Sequence, residues 1–203
     1  FRDLVLSRDE AGEPEPGIAA SMLAGKVLED SIVLKTWNAG VEAWIERVNF
    51  AALHCPELEL EPIDGEARRM ILEQACYGCF SAKEVKELDV WPALWEWVGY
   101  EMLAALDTFV PAEVSLPRRK RPVKLRYDLV NDRVVISSKL QDFYDVDPKT
   151  LSVCGGRVPM VVELLAPNGR PAQTTSDLNG FWDTSYEAVK KELRGRYPKH
   201  EWR

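Results

Sequence analysis

Residues 158–175 read VPMVVELLAPNGRPAQTT and carry the clearest signal for the fold of this chain. Val158 to Leu165 is a largely apolar run of strand length, and Asn168-Gly169 is typical of a tight turn between two strands. Arg170 to Thr175 is then the predicted returning strand. This hairpin predicts β structure in the C-terminal half of the chain.

The segments before this hairpin predict more strands. Val114 to Leu116, Val123 to Tyr127 and Val134 to Ile136 have strand character. We interpret Ser138 to Tyr144 as a short helix.

A helix is predicted at the end of the chain. Thr184 and Glu187 have the spacing of a capping box at its start, and Glu187 and Lys191 have the spacing of an i,i+4 ion pair. Its buried side is predicted to be lined by Tyr186, Val189 and Leu193.

The first half of the chain predicts helices. Asn38 is a candidate N-cap, Gly78 a candidate helix stop, and Ser81 with Glu84 a second candidate capping box. Five helices are predicted: around Ala19 to Val27, Val41 to Ala52 and Ala67 to Ala75, after Ser81, and from Pro92 to the residue before Pro111.

Together these patterns predict an α+β fold. A small helical bundle spans residues 15–110, and a small mixed α/β domain with antiparallel strands and a C-terminal helix spans residues 111–203. Residues 1–14 are interpreted as the end strand of an upstream domain, over Phe1 to Leu6, followed by a linker. The chain does not begin with Met, which suggests an excised fragment.

Charge divides the chain at the same place. Residues 1–110 hold 9 basic and 21 acidic side chains, for a net charge of −12, whereas residues 111–203 hold 17 and 12, for +5. A change of sign between halves suggests two modules with different partners. No apolar run is long enough to span a membrane, no signal peptide is evident, and four cysteines fit a reduced, cytoplasmic protein.

Motifs that would carry chemistry are missing from the sequence. It contains no phosphate-binding G-x-x-x-x-G-K-[ST] loop, no H-E-x-x-H and no G-x-S-x-G. We therefore assign no catalytic residue and no cofactor to this chain.

Two metal sites were weighed against structural interpretations. Cys76 and Cys79, with His54 and Cys55, could supply four zinc ligands, but adjacent ligands are awkward and buried thiols are favoured. A second cluster (Asp142, Asp145 and Asp147) has the spacing of a calcium-loop start without its Gly and closing Glu, so a solvated turn is favoured. No metal site is predicted.

Basic side chains concentrate in one loop and in the C-terminal segment. Both could contact nucleic-acid phosphates, although a solubilising charged loop and a solvated helix face are the alternatives. Tyr197 and Trp202, interleaved with the basic residues, could stack on bases or pack on the domain. The candidate nucleic-acid-binding residues are Arg118, Arg119, Lys120, Arg121, Lys124, Arg126, Lys190, Arg194, Arg196, Tyr197, Lys199 and His200.

Residues 157–182 and 185–203 resemble the C-terminal signature of HrpB-type bacterial DEAH-box ATP-dependent helicases. The most characteristic parts are GGRVP at residues 155–159, APNGRPAQ at 166–173 and RGRYPKH at 194–200. A weaker resemblance extends through the helical half. The loop at residues 118–121 departs from the family because it is more basic than the short Gly-containing turn expected there.

The resemblance implies a full-length protein with two RecA-like motor domains, a winged helix, a helical bundle and an OB-like domain, whose last strand would open this chain. ATP and Mg²⁺ would serve the missing motor, and this fragment would be inactive by itself. The implied partners are RNA or single-stranded DNA and the motor domains in cis.

Two functions remain open at this point. The chain could be an accessory region that contacts nucleic acid or buttresses the motor. Alternatively, it could be a protein–protein interaction or structural module that recruits a partner through its acidic half. A cluster of tryptophans at Trp91, Trp95 and Trp97 is core by default and an interface in this second interpretation.

Overall fold

The structure is a computed structural model that describes Gly12 and residues 14–203. The predicted strand from Phe1 to Leu6 lies outside the described residues. Helices and a mixed sheet confirm the α+β class. Within the described part of the chain, no helix is both long and apolar enough to cross a membrane.

The chain divides into two compact units that are each built from two segments. The first unit holds the residues up to Asn38 together with Ile63–Trp97, and the second holds Ala39–Pro62 together with Val98–Arg203. The predicted domain limits at residues 14 and 110 stay predictions. By contacts, however, residues 39–62 and 98–110 belong with the sheet.

Six α-helices form between residues 16 and 109 of the described chain. Asp64 caps the third, because its side chain accepts a hydrogen bond of 2.9 Å from the Ala67 amide. The capping box predicted at Ser81 and Glu84 is confirmed, with both reciprocal bonds present. The helices are α1 (Pro16–Leu28), α2 (Ala39–His54), α3 (Gly65–Ala75), α4 (Ala82–Lys86), α5 (Trp91–Val98) and α6 (Leu103–Phe109).

The single helix predicted from Pro92 to the residue before Pro111 is wrong. Gly99 interrupts it with φ 86° and ψ 124°, and a 3₁₀ turn at Tyr100–Met102 precedes α6. Glycine adopts a positive φ at little steric cost, whereas other residues do not. The apolar periodicity is nearly continuous across Gly99, so it could not reveal the break.

The first unit has a small core between its helices. Ala20, Ile32 and Val85 pack there with the thiols of Cys76 and Cys79. The hydroxyl of Ser21 on α1 donates a 2.8 Å hydrogen bond to Glu73 on α3, which supports the packing of these two helices.

The second unit is organised around a six-stranded mixed sheet in the order β1-β2-β3-β5-β4, with β6 also paired to β5. Every pair is antiparallel except β3 with β5, which run parallel with Ile136 opposite Val162. The strands are β1 (Glu113–Val114), β2 (Val123–Asp128), β3 (Arg133–Lys139), β4 (Ser152–Val153), β5 (Val158–Leu165) and β6 (Pro171–Thr175).

The hairpin predicted at Asn168-Gly169 is confirmed. Gly169 adopts φ 82°, and the Ala166 amide donates a 2.8 Å hydrogen bond to the Arg170 carbonyl. Along β5 the residues alternate, so that Met160, Val162 and Leu164 are buried.

The helix expected over Ser138 to Tyr144 is shorter and tighter than predicted. It is a 3₁₀ helix at Leu140–Phe143, which follows β3 directly. Its apolar residues Leu140 and Phe143 are fully buried. This turn begins the connection between the two parallel strands.

The C-terminal helix starts differently from its prediction. Asp177 caps a short helix, α7 (Leu178–Gly180), which continues through a π-helical turn at Phe181–Ser185 into α8 (Tyr186–Arg196). The capping box predicted at Thr184 and Glu187 is therefore wrong, because Thr184 lies inside this turn and its hydroxyl donates to the Gly180 carbonyl at 2.6 Å.

The ion pair and the burial of one side chain in α8 also differ from the prediction. Glu187 pairs with Lys190 at 2.9 Å rather than with Lys191, since i,i+3 and i,i+4 neighbours are both within reach on a helix. Tyr186 and Leu193 are buried as predicted, and Val189 is half-buried.

We expect Gly99→Ala to lower the free energy of unfolding by about 1–3 kcal/mol, because alanine is strained at this backbone conformation. Denaturant unfolding followed by circular dichroism measures the change. Gly195→Ala in α8 is the control, since it lies in a helix with open space around it and should stabilise by about 0.5–1 kcal/mol. Equal effects at both positions would contradict the assignment of strain to Gly99.

Candidate nucleic-acid interface

The two basic segments singled out in the sequence lie against each other in the second unit. The guanidinium of Arg118, in the loop between β1 and β2, donates two hydrogen bonds of 3.2 and 2.6 Å to the carboxylate of Glu201. This contact joins residues 83 apart in sequence. It brings the loop at residues 117–121 to the segment that follows α8.

That segment, Tyr197–Arg203, is called the C-terminal segment below. It folds back beside α8: the Trp202 indole N–H donates to the Tyr197 carbonyl at 3.0 Å, and the Arg203 amide donates to the Tyr186 hydroxyl at 2.9 Å. The Tyr186 hydroxyl in turn lies 2.7 Å from that of Tyr144. Trp202 and Arg203 therefore anchor the segment to the domain.

Arg203 connects this segment to the turn after β3. Its guanidinium makes two hydrogen bonds of 2.5 and 2.9 Å to Asp145 and one of 3.0 Å to Glu201. Both Arg203 and Arg118 also lie over the Tyr144 ring, with their Cζ atoms 4.9 and 5.5 Å from its centroid. Positive charge over an aromatic face is attractive, so the ring favours holding both cations.

Tyr144 belongs to an aromatic cluster with Phe181, Tyr186 and the half-buried Trp182. The ring centroids lie 4.9–6.2 Å apart, mostly in edge-to-face arrangements. This cluster packs the turn after β3 against the start of α8. It fixes the platform on which the two arginines rest.

The ion pairs shift the pKa values of their carboxyl groups. Hydrogen bonds from Arg118 and then Arg203 hold the pKa of Glu201 below its ordinary value of 4.5. Arg203 likewise lowers the pKa of Asp145. Burial, together with the hydrogen bond to Tyr186, raises the pKa of the Tyr144 hydroxyl. At neutral pH the two carboxylates are therefore ionised and the tyrosine is neutral.

Several of the predicted binding residues are engaged within the chain. Arg119 contacts the Ser138 hydroxyl at 2.8 Å and Asp142 at 3.2 Å. The predicted residues that have a carboxylate partner are Arg118, Arg119, Arg126, Lys190 and Arg196.

The other predicted cations remain available. Among the described residues, no carboxylate forms an ion pair with Lys120, Arg121, Lys124, Arg194 or Lys199, all of which are exposed. Tyr197 and His200 contact each other edge to face, with centroids 5.9 Å apart.

Two grooves flank α8. An open groove of about 760 Å³ is lined by Lys190, Lys191 and Arg194, with Glu187 at its side. A smaller groove of about 200 Å³, lined by Arg170, Arg196 and Tyr197, lies between α8 and the β5–β6 turn. Sequence reasoning counted Lys191 in the basic C-terminal tail but left it out of the binding candidates, and it missed Arg170, which it assigned to a strand. Only the packing of the turn beside α8 reveals Arg170.

The four residues considered as zinc ligands make other contacts. His54 pairs with Asp132 at 2.6 Å, and Cys55 is fully buried in the second unit. Cys76 and Cys79 lie in the core of the first unit, and burial raises the pKa of Cys76 to about 11. Across Gly12 and residues 14–203, no three His, Cys, Asp or Glu side chains form a group that could hold a metal ion.

The three aspartates considered as a calcium loop also each make a different contact. Asp142 accepts from the Ser138 hydroxyl at 2.6 Å, and Asp145 pairs with Arg203. Asp147 caps a 3₁₀ turn at Pro148–Thr150.

In the tryptophan cluster, the rings of Trp91 and Trp95 stack with their centroids 6.0 Å apart, and Trp95 is the more exposed of the two.

Comparison with known proteins assigns this fold to the C-terminal region of ATP-dependent helicases. The family described as ATP-dependent helicase C-terminal, of the HrpB type, matches residues 71–203, and the chain belongs to it. The resemblance drawn from residues 157–182 and 185–203 is therefore confirmed.

Named relatives agree with this assignment. The chain is 32% identical over 192 residues to the ATP-dependent RNA helicase HrpB of Escherichia coli strain K12, which covers 93% of this chain and 23% of that protein. The crystal structure of the E. coli DExH-box NTPase HrpB matches with a TM-score of 0.79 and 29% identity over 95% of this chain and 24% of the other.

A second crystal structure, of the Escherichia coli DEAH/RHA helicase HrpB, matches with a TM-score of 0.68 and 28% identity. It covers 94% of this chain and 24% of that chain. The chain thus spans about a quarter of the length of its relatives.

The interactions of Tyr186 predict its contribution to stability. We expect Tyr186→Phe to destabilise the second unit by about 1 kcal/mol, because it removes the hydroxyl that contacts Tyr144 and the Arg203 amide. Tyr197→Phe is the control, since its hydroxyl makes no hydrogen bond to any described residue, and it should change stability by less than about 0.5 kcal/mol. Urea unfolding measures both; an equal loss in the control would contradict the role of Tyr186.

The Glu201 carboxyl predicts a pH dependence. Because its pKa is lowered in the folded state, its contribution to stability is present above pH 4.5 and is lost as the pH falls through the lower folded value. NMR titration of the side-chain carboxyl should give a pKa below 4.5 that rises in Arg118→Gln. Glu84, whose pKa is lowered by Phe80 and Ser81 instead, should not respond to this substitution.

Proposed function

We propose that this chain is the accessory region through which an HrpB-type helicase contacts single-stranded nucleic acid, with RNA as its substrate. The choice of RNA rests on the name of the relative, an ATP-dependent RNA helicase. ATP and Mg²⁺ would serve motor domains in cis, outside this chain, and the fragment would hydrolyse no nucleotide. The proposed location is the cytoplasm.

The observation that carries this proposal is the meeting of the two basic segments at Arg118 and Glu201. Lys120 and Arg121 follow Arg118 closely, and Lys199 precedes Glu201 by two residues. The contact therefore concentrates unpaired cations from distant parts of the sequence. Each cation that neutralises a phosphate releases counterions, and this release favours binding.

The second half of the chain supports this proposal through its net charge of +5. The groove along α8 adds Lys191 and Arg194 to the surface. Tyr197 is half-exposed beside the second groove, where an aromatic face could stack on a base. The proposed mode is thus electrostatic contact with the backbone, supported by stacking rather than base readout.

The protein-interaction alternative has one specific observation behind it. Ile18 and Met22, one turn apart on α1, are 56% and 67% exposed in the acidic first unit. Large exposed apolar side chains at i,i+4 spacing suit a protein contact. In this alternative the first unit would buttress the helicase or recruit a partner.

RNA binding by the 203-residue chain separates the two functions. We expect labelled single-stranded RNA to bind more weakly at about 200 mM than at about 50 mM salt, as counterion release requires. Lys120→Gln/Arg121→Gln and Lys191→Gln/Arg194→Gln should each lower the slope of log K against log salt by about 1.4, since each lost single-strand phosphate contact removes about 0.7. Fluorescence anisotropy measures this slope.

The matched control is Lys83→Gln/Lys86→Gln in α4, which removes the same charge from exposed positions of the first unit. It should leave the slope unchanged. No binding of wild-type chain to RNA at the lower salt concentration would reject the proposed function and leave the interaction alternative.

A further inference from the structure

The Glu201 carboxylate binds the Arg118 guanidinium in the way that a free anion would. Its two carboxylate oxygens accept from both terminal nitrogens of the guanidinium, in a parallel pair of bonds. The planar guanidinium fork binds phosphate in the same bidentate way as it binds carboxylate. Arg118 therefore presents an anion site that is filled by the chain's own side chain.

Arg203 adds a second guanidinium to this site. Its Nε donates to the same Glu201 oxygen that accepts from Arg118 Nη1, at 3.0 Å. Both arginines rest on the Tyr144 ring. Asp145 neutralises Arg203, so that loss of the Glu201 carboxylate would leave one net positive charge at the site.

The Glu201 carboxylate is held where water and salt can compete with it. Its side chain is 45% exposed and that of Arg118 30%. Partly exposed ion pairs contribute little to stability because solvent screens them. Nearby, the Gln141 side-chain oxygen is buried without a hydrogen-bond partner in the described structure, and its nitrogen reaches the Glu201 carbonyl only at 3.4 Å. The hydrogen bonding of the neighbouring Gln141 side chain is thus incomplete.

The anchors of the C-terminal segment lie beside Glu201 rather than at it. Trp202 and the Arg203 amide hold their own hydrogen bonds to Tyr197 and Tyr186. The Glu201 side chain can therefore leave Arg118 without release of the whole segment.

We propose that Arg118 and Arg203 over Tyr144 form a phosphate-binding subsite for single-stranded nucleic acid, and that Glu201 occupies this subsite as an internal competitor. A backbone phosphate replaces the Glu201 carboxylate on Arg118. This inference rests on the proposed function and adds to it a specific subsite and a restraint on affinity. Glu201 restrains the affinity for nucleic acid because only molecules in which Glu201 has left Arg118 can bind phosphate there. The observed association constant is reduced by the fraction of such molecules.

Glu201→Gln tests the competition directly, since it removes the charge and keeps the shape. We expect the variant to bind single-stranded RNA about five-fold more tightly at 0.1 M salt, because one added phosphate contact contributes about 0.7 logarithmic units per decade of salt. Its salt slope should steepen by about 0.7 for the same reason.

Asp183→Asn is the matched control, because it changes the net charge equally. The exposed Asp183 carboxylate makes no ion pair or side-chain hydrogen bond with any described residue. Its variant should show little gain. Equal gains in Glu201→Gln and Asp183→Asn would mean a general charge effect and would overturn the subsite.

Combining Glu201→Gln with Arg118→Gln tests whether the gain in affinity comes from Arg118. Arg118→Gln alone should weaken binding by less than the five-fold gain of Glu201→Gln, because Glu201 competes with phosphate for Arg118 in the wild-type chain. In the double variant the gain from Glu201→Gln should disappear, and its persistence would overturn the assignment to Arg118. Near-UV circular dichroism checks that the aromatic cluster stays packed in each variant.

The outcomes separate this inference from the proposed function. If the wild-type chain binds RNA and Glu201→Gln binds no more tightly, only the subsite is rejected. If neither binds at low salt, the proposed function falls and the subsite with it.

Discussion

Strand β5 (Val158–Leu165) is the element on which the second unit depends. It pairs in parallel with β3 along one edge and antiparallel with β4 and β6 along the other, so that most of its backbone groups are satisfied within the sheet. Met160, Val162 and Leu164 are buried on one face. A shift of register by one residue would turn these three side chains toward solvent, which fixes the pairing of three neighbouring strands.

The sheet in turn determines where the basic segments meet. The turn after β3 carries Tyr144 and Asp145, and the chain that follows β6 leads through α7 into α8. Tyr144 and Tyr186 then hold the platform against which the C-terminal segment folds. Basic residues from segments 83 residues apart in sequence are brought to one place, and part of their positive charge is neutralised there by Glu201 and Asp145. The charge of this surface is therefore set by internal pairing as much as by composition.

Local signals predicted the elements well where the cause was local. The Asn168-Gly169 turn and the Ser81–Glu84 capping box formed as the spacing indicated. The same capping spacing failed at Thr184 and Glu187, because Asp177 starts the helical conformation earlier and a π-helical turn intervenes. Gly99 broke a helix whose apolar periodicity continued across it, because glycine adopts the positive φ found there and periodicity does not report backbone conformation.

The sequence by itself determined the α+β class, most of the helices and strands, the family and the two concentrations of basic residues. Caps, turns and apolar periodicity act over a few residues, and the family signature is contiguous, so both are legible in the linear chain. Only the tertiary structure decided which cations remain unpaired, that Glu201 sits on Arg118, and that Arg170 lines a groove beside α8. The physical reason is that these contacts join residues far apart in sequence, and their partners are chosen by the packing of the sheet and the aromatic cluster rather than by spacing along the chain.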